Sequence, residues 1–167
     1  MGSDLVRLNY ASTATFQPNV SGGIEVSVAR ILAESRRNNS ECRIGGVLHY
    51  GDGYFFQCLE GEREVVNERY HRISQDDRHK DVQLLSFDRV SNRMFPDWSM
   101  KYLPIEGQIR QLLAKRSMTF NPYRFDDTMI DELLRLCVLG SDPTEADTAE
   151  PGKNGKLPLW KRILGRT

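Results

Sequence analysis

The chain of 167 residues has no excess charge, since 23 basic side chains balance 23 acidic ones, and nothing in that balance draws a polyanion. No apolar run approaches the ~20 residues a membrane-spanning helix needs. Met1-Gly2-Ser3-Asp4 leads into no signal-peptide core. A cytoplasmic protein with no transmembrane segment and no nucleic-acid partner is therefore expected. Cys42, Cys58 and Cys137 are odd in number and lack the close pairs that zinc or dithiol chemistry uses, which predicts reduced, structural thiols. His49, His71 and His79 form no metal-ligand cluster with them. The chain also lacks a Gly-x-Gly-x-x-Gly turn, a Walker loop and a legible Ser/His/Asp arrangement. No metal ligand and no catalytic residue is assigned, and the chain is not expected to be an enzyme.

What is present is periodicity. Val6, Leu8 and Tyr10 alternate with polar or small residues, the pattern of a half-buried strand with Tyr10 facing inward. Ile24, Val28, Ile31 and Leu32 recur at helical spacing up to Asn38-Asn39, where an asparagine can close a helix. Ile44 to Tyr50 and Tyr54 to Glu60 read as strands joined by Gly51-Asp52-Gly53, a hairpin signal. Phe55, Gln57 and Leu59 share one face of the second of them. Glu62 and Glu64 suit the first turn of another helix, with Val66, Tyr70 and Ile73 as its apolar stripe and an end near Asp76-Asp77. Val82 to Val90 predicts a fourth strand, and Trp98, Met100 and Tyr102 fall on one face of a fifth.

The order βαββαββ implies an α+β fold, ferredoxin-like, with a mixed five-stranded sheet and two helices on one face. Short helices around Ile109, Leu112, Leu113 and around Met129, Ile130, Leu133, Leu134, Val138 are expected to add a cap. Residues 1–104 would form the main domain, residues 105–140 a helical extension, and residues 141–167 a polar linker and a short basic amphipathic tail. That tail suits a partner or a membrane surface, or is simply a terminus.

Several side chains could carry chemistry. Gln57 lies on a buried strand face, so its amide needs partners, and Tyr10 could meet it if the two strands are neighbours; a purely structural pair explains both equally. Arg72 and Asp76, four residues apart, project from the same side of the second helix and together could serve a carbonyl and an adjacent imide N–H. That spacing is also an ordinary surface pair. Asn38 and Asn39 could complete such a site or cap their helix. His79 is expected in a surface loop.

Leu8-Asn9-Tyr10-Ala11-Ser12, Glu34-Ser35-Arg36-Arg37-Asn38-Asn39, Phe55-Phe56-Gln57-Cys58-Leu59-Glu60-Gly61, the stretch from Tyr70 to His79, and Arg93-Met94-Phe95-Pro96-Asp97-Trp98-Ser99-Met100 stand in order along the first hundred or so residues. Together they resemble the BLUF family, domains that sense blue light using flavin. The resemblance implies a flavin between the two helices, FAD or FMN, since no phosphate-binding motif separates the two. Ser35, Asn38, Asn39, Gln57, Arg72, Asp76 and His79 would line its pocket. Tyr10 would donate an electron and proton, the Gln57 amide would rearrange, and Trp98 and Met100 would pass the change outward. Signalling would run through an unidentified downstream protein, with a homo-oligomer expected. The competing expectation is a cofactor-free interaction module of the same fold. A small hydrolase would need an anion cradle beside Arg72 or Arg78.

Overall fold

The alternation at the start of the chain becomes strand β1 (Leu5–Ala14) in the computed structural model, which describes residues 4–17, 25–140 and 142–144. Helix α1 (Val26–Glu41) follows, started by the Glu25 carboxylate accepting the Val28 N–H. It runs two residues past Asn38-Asn39 and is closed by Cys42, so neither asparagine caps it. The hairpin β2 (Gly45–Gly51) and β3 (Tyr54–Glu62) turns at Asp52 and Gly53, both at positive φ (52° and 82°) as a two-residue loop between twisted strands demands. Helix α2 (Arg63–Ser74) and strand β4 (His79–Arg89) complete the repeat.

The sheet order is β4-β1-β3-β2-β5, antiparallel except for the β2/β5 pair. This is the expected ferredoxin-like sheet with a fifth strand added beside β2. That strand, β5, spans only Lys101–Tyr102. The alternation expected from Trp98 therefore does not hold. Trp98 packs against the core on one side of the sheet, whereas Met100 is buried on the other. The cause lies upstream, where the buried Glu60 carboxylate takes the Met94 and Phe95 N–H groups at 3.0 and 2.8 Å and is paired with Arg7 at 2.8 Å. The segment before Met100 is thus tied to β3 as a loop.

Helices α1 and α2 cover one face of the sheet through Val28, Ala29, Leu32 and Val66, against Val6, Leu8, Leu48 and Leu59. Helices α3 (Gly107–Lys115) and α4 (Asp127–Leu139), with a 3-10 turn at Pro122–Arg124 between them, cover the opposite face. The run Phe55-Phe56-Gln57-Cys58-Leu59 is continuous in buried residues because β3 is enclosed on both sides. Two glycines of β2 allow close approach: a Cβ on Gly45 would lie 2.2 Å from the Phe95 carbonyl oxygen, and one on Gly46 2.0 Å from that of Cys58. Among the described residues the cysteines are free thiols, no group suits a metal, and no helix is long and apolar enough to cross a membrane. Ile24, most of the linker and the tail from Leu157 lie outside the described residues.

Candidate functional site

A cleft of about 790 Å³, counting its open mouth, separates α1 from α2 above the sheet. Its walls are apolar, with Ile31 from α1, Ile73 from α2, and Leu48 and Phe55 from the sheet. Ser35, Asn38 and Asn39 reach it from α1, Arg69 and Arg72 from α2, and Asp76, Arg78 and His79 from the turn into β4. Tyr10 and Gln57 form part of its floor. The structure thus brings together Tyr10 and every pocket residue expected from the sequence. Met100 touches Gln57 from the same side of the sheet, and Trp98 is on the other side.

Tyr10 and Gln57 are register partners on neighbouring strands, and the Tyr10 hydroxyl donates to Gln57 Oε1. Burial, reinforced by the electronegative neighbours Tyr70 and Asp76, pushes the Tyr10 phenol well above its usual range. It therefore keeps its proton in the resting protein and acts as the donor. With the carbonyl so engaged, Gln57 Nε2 faces the Met100 thioether at 3.6 Å, a weak acceptor. One end of the amide is well satisfied and the other poorly.

The charged rim departs from the expected pairing. Helix α2 ends at Ser74, so Asp76 lies beyond it. Arg72 pairs with Glu68 at 2.6 Å, in the favourable Glu-before-Arg order, and both side chains are 65% exposed. Asp76 accepts the Arg78 backbone N–H and guanidinium, while Arg78 reaches Glu34 across the cleft at 2.7 Å. Above all the Arg78 hydrogen bond holds the Asp76 carboxyl below its usual 3.8, against the opposing effect of burial. His79 is no loop residue; it opens β4, with Nε2 at 2.6 Å from the Ile73 carbonyl and Nδ1 at 2.8 Å from Ser12 Oγ. A carbonyl only accepts, so Nε2 carries the hydrogen. Asn39 is buried and its Nδ2 donates to the Ser99 carbonyl at 2.8 Å, one residue before Met100.

Glu34, Arg69 and Arg78 join the site without having been singled out as pocket residues. Helical spacing carried a signal for two of them, since Glu34 precedes Asn38 by four residues and Arg69 precedes Arg72 by three. Arg69 Nε is buried and has no partner among the described residues. Such an orphaned donor, the amides of Asn38 and Asn39, the ionised Asp76 and the apolar walls suit a flat heteroaromatic ring that presents carbonyls and an imide N–H.

A ferredoxin-like sheet, a ring-sized cleft between its helices and a tyrosine–glutamine pair on the floor define a cofactor-holding sensor domain. The chain belongs to the BLUF family, described as sensors of blue-light using FAD, whose model matches residues 5–101. Members sense blue light through a flavin, and the matched domain is a sensor rather than an enzyme. The photoactivated adenylate cyclase subunit beta of Euglena gracilis is 32% identical over 153 residues, 89% of this chain and 17% of that protein. The blue light- and temperature-regulated antirepressor BluF of Escherichia coli K12 is 32% identical over 65% of this chain and 27% of its own length. The chain thus spans well under a third of these curated relatives. Among solved structures, BlsA in its photo-activated state superposes with a TM-score of 0.74 at 34% identity, covering 83% of this chain and 97% of that one.

Proposed function

We propose that this chain is a blue-light photoreceptor that holds FAD in the cleft between α1 and α2 and signals by rearranging the hydrogen bonds of Gln57. The observation that carries the reading is the Tyr10 hydroxyl donating to Gln57 Oε1 on the cleft floor while Nε2 faces Met100. FAD is favoured over FMN by the family's description. When bound, the flavin supplies blue-light absorption and an excited ring able to draw an electron from a nearby phenol.

The residues do the rest. Ser35, Asn38, Asn39, Arg72, Asp76 and His79 hold the ring, with the asparagine amides and the guanidinium serving carbonyls and Asp76 serving an imide N–H. With the flavin bound, Tyr10 would serve as its reversible donor of one electron and of the hydroxyl proton, both returned to the phenol, so that no net oxidation would remain. While the hydroxyl is without its proton, Gln57 Oε1 has lost its donor, and the amide turns so that Nε2 donates to Tyr10 Oη and Oε1 faces Met100. The exchange is charge-neutral and biases two packings by the difference in their hydrogen bonds. Met100 receives the change directly. Trp98 stands on the far side of the sheet, over which Lys101 Nζ lies 3.9 Å from the ring centroid, and passes it toward the α3/α4 layer.

Residues 1–104 act as the flavin domain, residues 105–140 as its helical extension, and residues 141–167 as a linker and tail. The output is association with a downstream protein or with a second copy of the chain, in the cytoplasm. The test is an absorption spectrum in the dark, after a blue flash and during recovery. A flavin band that shifts slightly to the red and relaxes without bleaching is expected, and Gln57→Leu should keep the flavin and lose the shift. A normal shift in Gln57→Leu would remove the amide from the mechanism. A colourless protein even after FAD and FMN are supplied would favour a cofactor-free interaction module.

A further inference from the structure

Arg36 follows Ser35 on α1, yet its side chain leaves the cleft for the open edge of β5. There Nε donates to the Met100 carbonyl at 3.0 Å and Nη2 to Asp142 Oδ2 at 2.7 Å. Asp142 lies just beyond α4, and its carboxylate is fully buried. The same Oδ2 accepts the Tyr102 N–H at 2.7 Å, while Oδ1 accepts the Thr144 N–H at 2.8 Å and hydroxyl at 2.6 Å. Thr144 Oγ1 in turn accepts from Arg36 Nη2 at 2.8 Å. Since β5 ends the sheet and pairs with β2 on its other side, the carboxylate stands where a neighbouring strand's carbonyl would be.

One residue joins this network to the switch. Met100 faces Gln57 Nε2 through its sulfur and Arg36 through its carbonyl oxygen. Resting on the photoreceptor reading above, we propose that Arg36 and Asp142 form a clasp released by light: turning of the Gln57 amide displaces Met100, the guanidinium loses its hold, and the segment following α4 leaves the edge of β5. A buried ion pair suits such a role because it has two stable conditions. It is either fully made in the interior or open and hydrated, and an uncompensated buried charge between them is strongly disfavoured.

The test is hydrogen exchange on the full-length, FAD-loaded protein in the dark and under continuous blue light, read at the Tyr102 amide and at residues 142–144, with absorption recorded in parallel. The red shift should be accompanied by exchange at Tyr102 roughly tenfold or more faster, the scale of losing a hydrogen bond to a charged group. A normal red shift with unchanged exchange at these sites would overturn the clasp and leave the photoreceptor reading intact. No red shift at all would overturn both. Asp142→Asn, which keeps the shape and removes the charge, should retain flavin and the red shift while Tyr102 exchanges fast in dark and light alike. Arg36→Lys should act in the same direction and stands in if Asp142→Asn fails to fold. A light-dependent acceleration of wild-type size in either folded variant counts against the proposal.

Discussion

Tyr10 and Gln57 face each other across the antiparallel pairing of β1 and β3, and the phenol donates to the amide carbonyl in a fully buried setting. Tyr10→Phe removes the donor and leaves Gln57 Oε1 unsatisfied. It should cost about 1–3 kcal/mol in urea denaturation. The flavin should remain bound, and the light-induced red shift should disappear. A red shift of normal size would mean that the phenol is not the donor the switch requires.

Met100 and Trp98 should separate cleanly. Met100→Leu conserves volume, so stability should fall by less than about 1.5 kcal/mol. It also removes the sulfur facing Gln57 Nε2, which should change the rate of dark recovery measured by absorption. Trp98→Phe touches only the opposite side of the sheet and should leave the size of the red shift unchanged while altering hydrogen exchange in α3 and α4.

Arg72 pairs with Glu68 in solvent, a contact worth about 0–1 kcal/mol. Arg72→Ala should therefore leave the urea midpoint nearly unchanged and weaken flavin binding, read by quenching of flavin fluorescence on titration into apoprotein. Equal affinity in the variant would take Arg72 out of the binding set.

The inward faces of Tyr10 and Gln57 were legible because strand alternation is local, and the Asp52-Gly53 turn announced itself by composition. The last strand was not. Alternation through Trp98, Met100 and Tyr102 assumed extended backbone, whereas Glu60, distant in sequence, holds Met94 and Phe95 in a loop and leaves two residues to pair. Helical spacing suggested Arg72 with Asp76, but the helix ends between them, and Arg72 pairs with Glu68 while Asp76 pairs with Arg78. Arg36 and Asp142 are 106 residues apart, and no periodicity can announce a contact that exists only after the chain closes on itself.

His49 is buried with Nδ1 at 2.7 Å from the Leu103 carbonyl and Nε2 at 3.0 Å from Cys137 Sγ, joining β2 to α4. Burial lowers it from 6.5 to about 4, partly offset by the carbonyl. The folded protein thus holds it neutral while the unfolded chain binds a proton below 6.5. Its contribution is complete above pH 6.5, falls as pH drops, and levels off below about pH 4, for a total of roughly 3 kcal/mol. Urea midpoints measured from pH 7 to 4 should show this slope, and His49→Asn should flatten it. An identical slope in that variant would assign the acid sensitivity elsewhere.

Gly46→Ala places a methyl against the Cys58 carbonyl of the adjacent strand, with no flexible side chain to yield. A loss of about 3 kcal/mol or more is expected from thermal denaturation. A variant of wild-type stability would show that β2 and β3 can part without cost.

Because successive residues of β3 serve opposite layers, Gln57 belongs to the cleft side while its neighbours Phe56 and Cys58 are core residues of the α3/α4 side. The sheet is a shared wall one strand thick. A displacement on the cleft side needs no lever or relay to be felt behind it, any more than a knock on a partition needs a corridor to reach the next room.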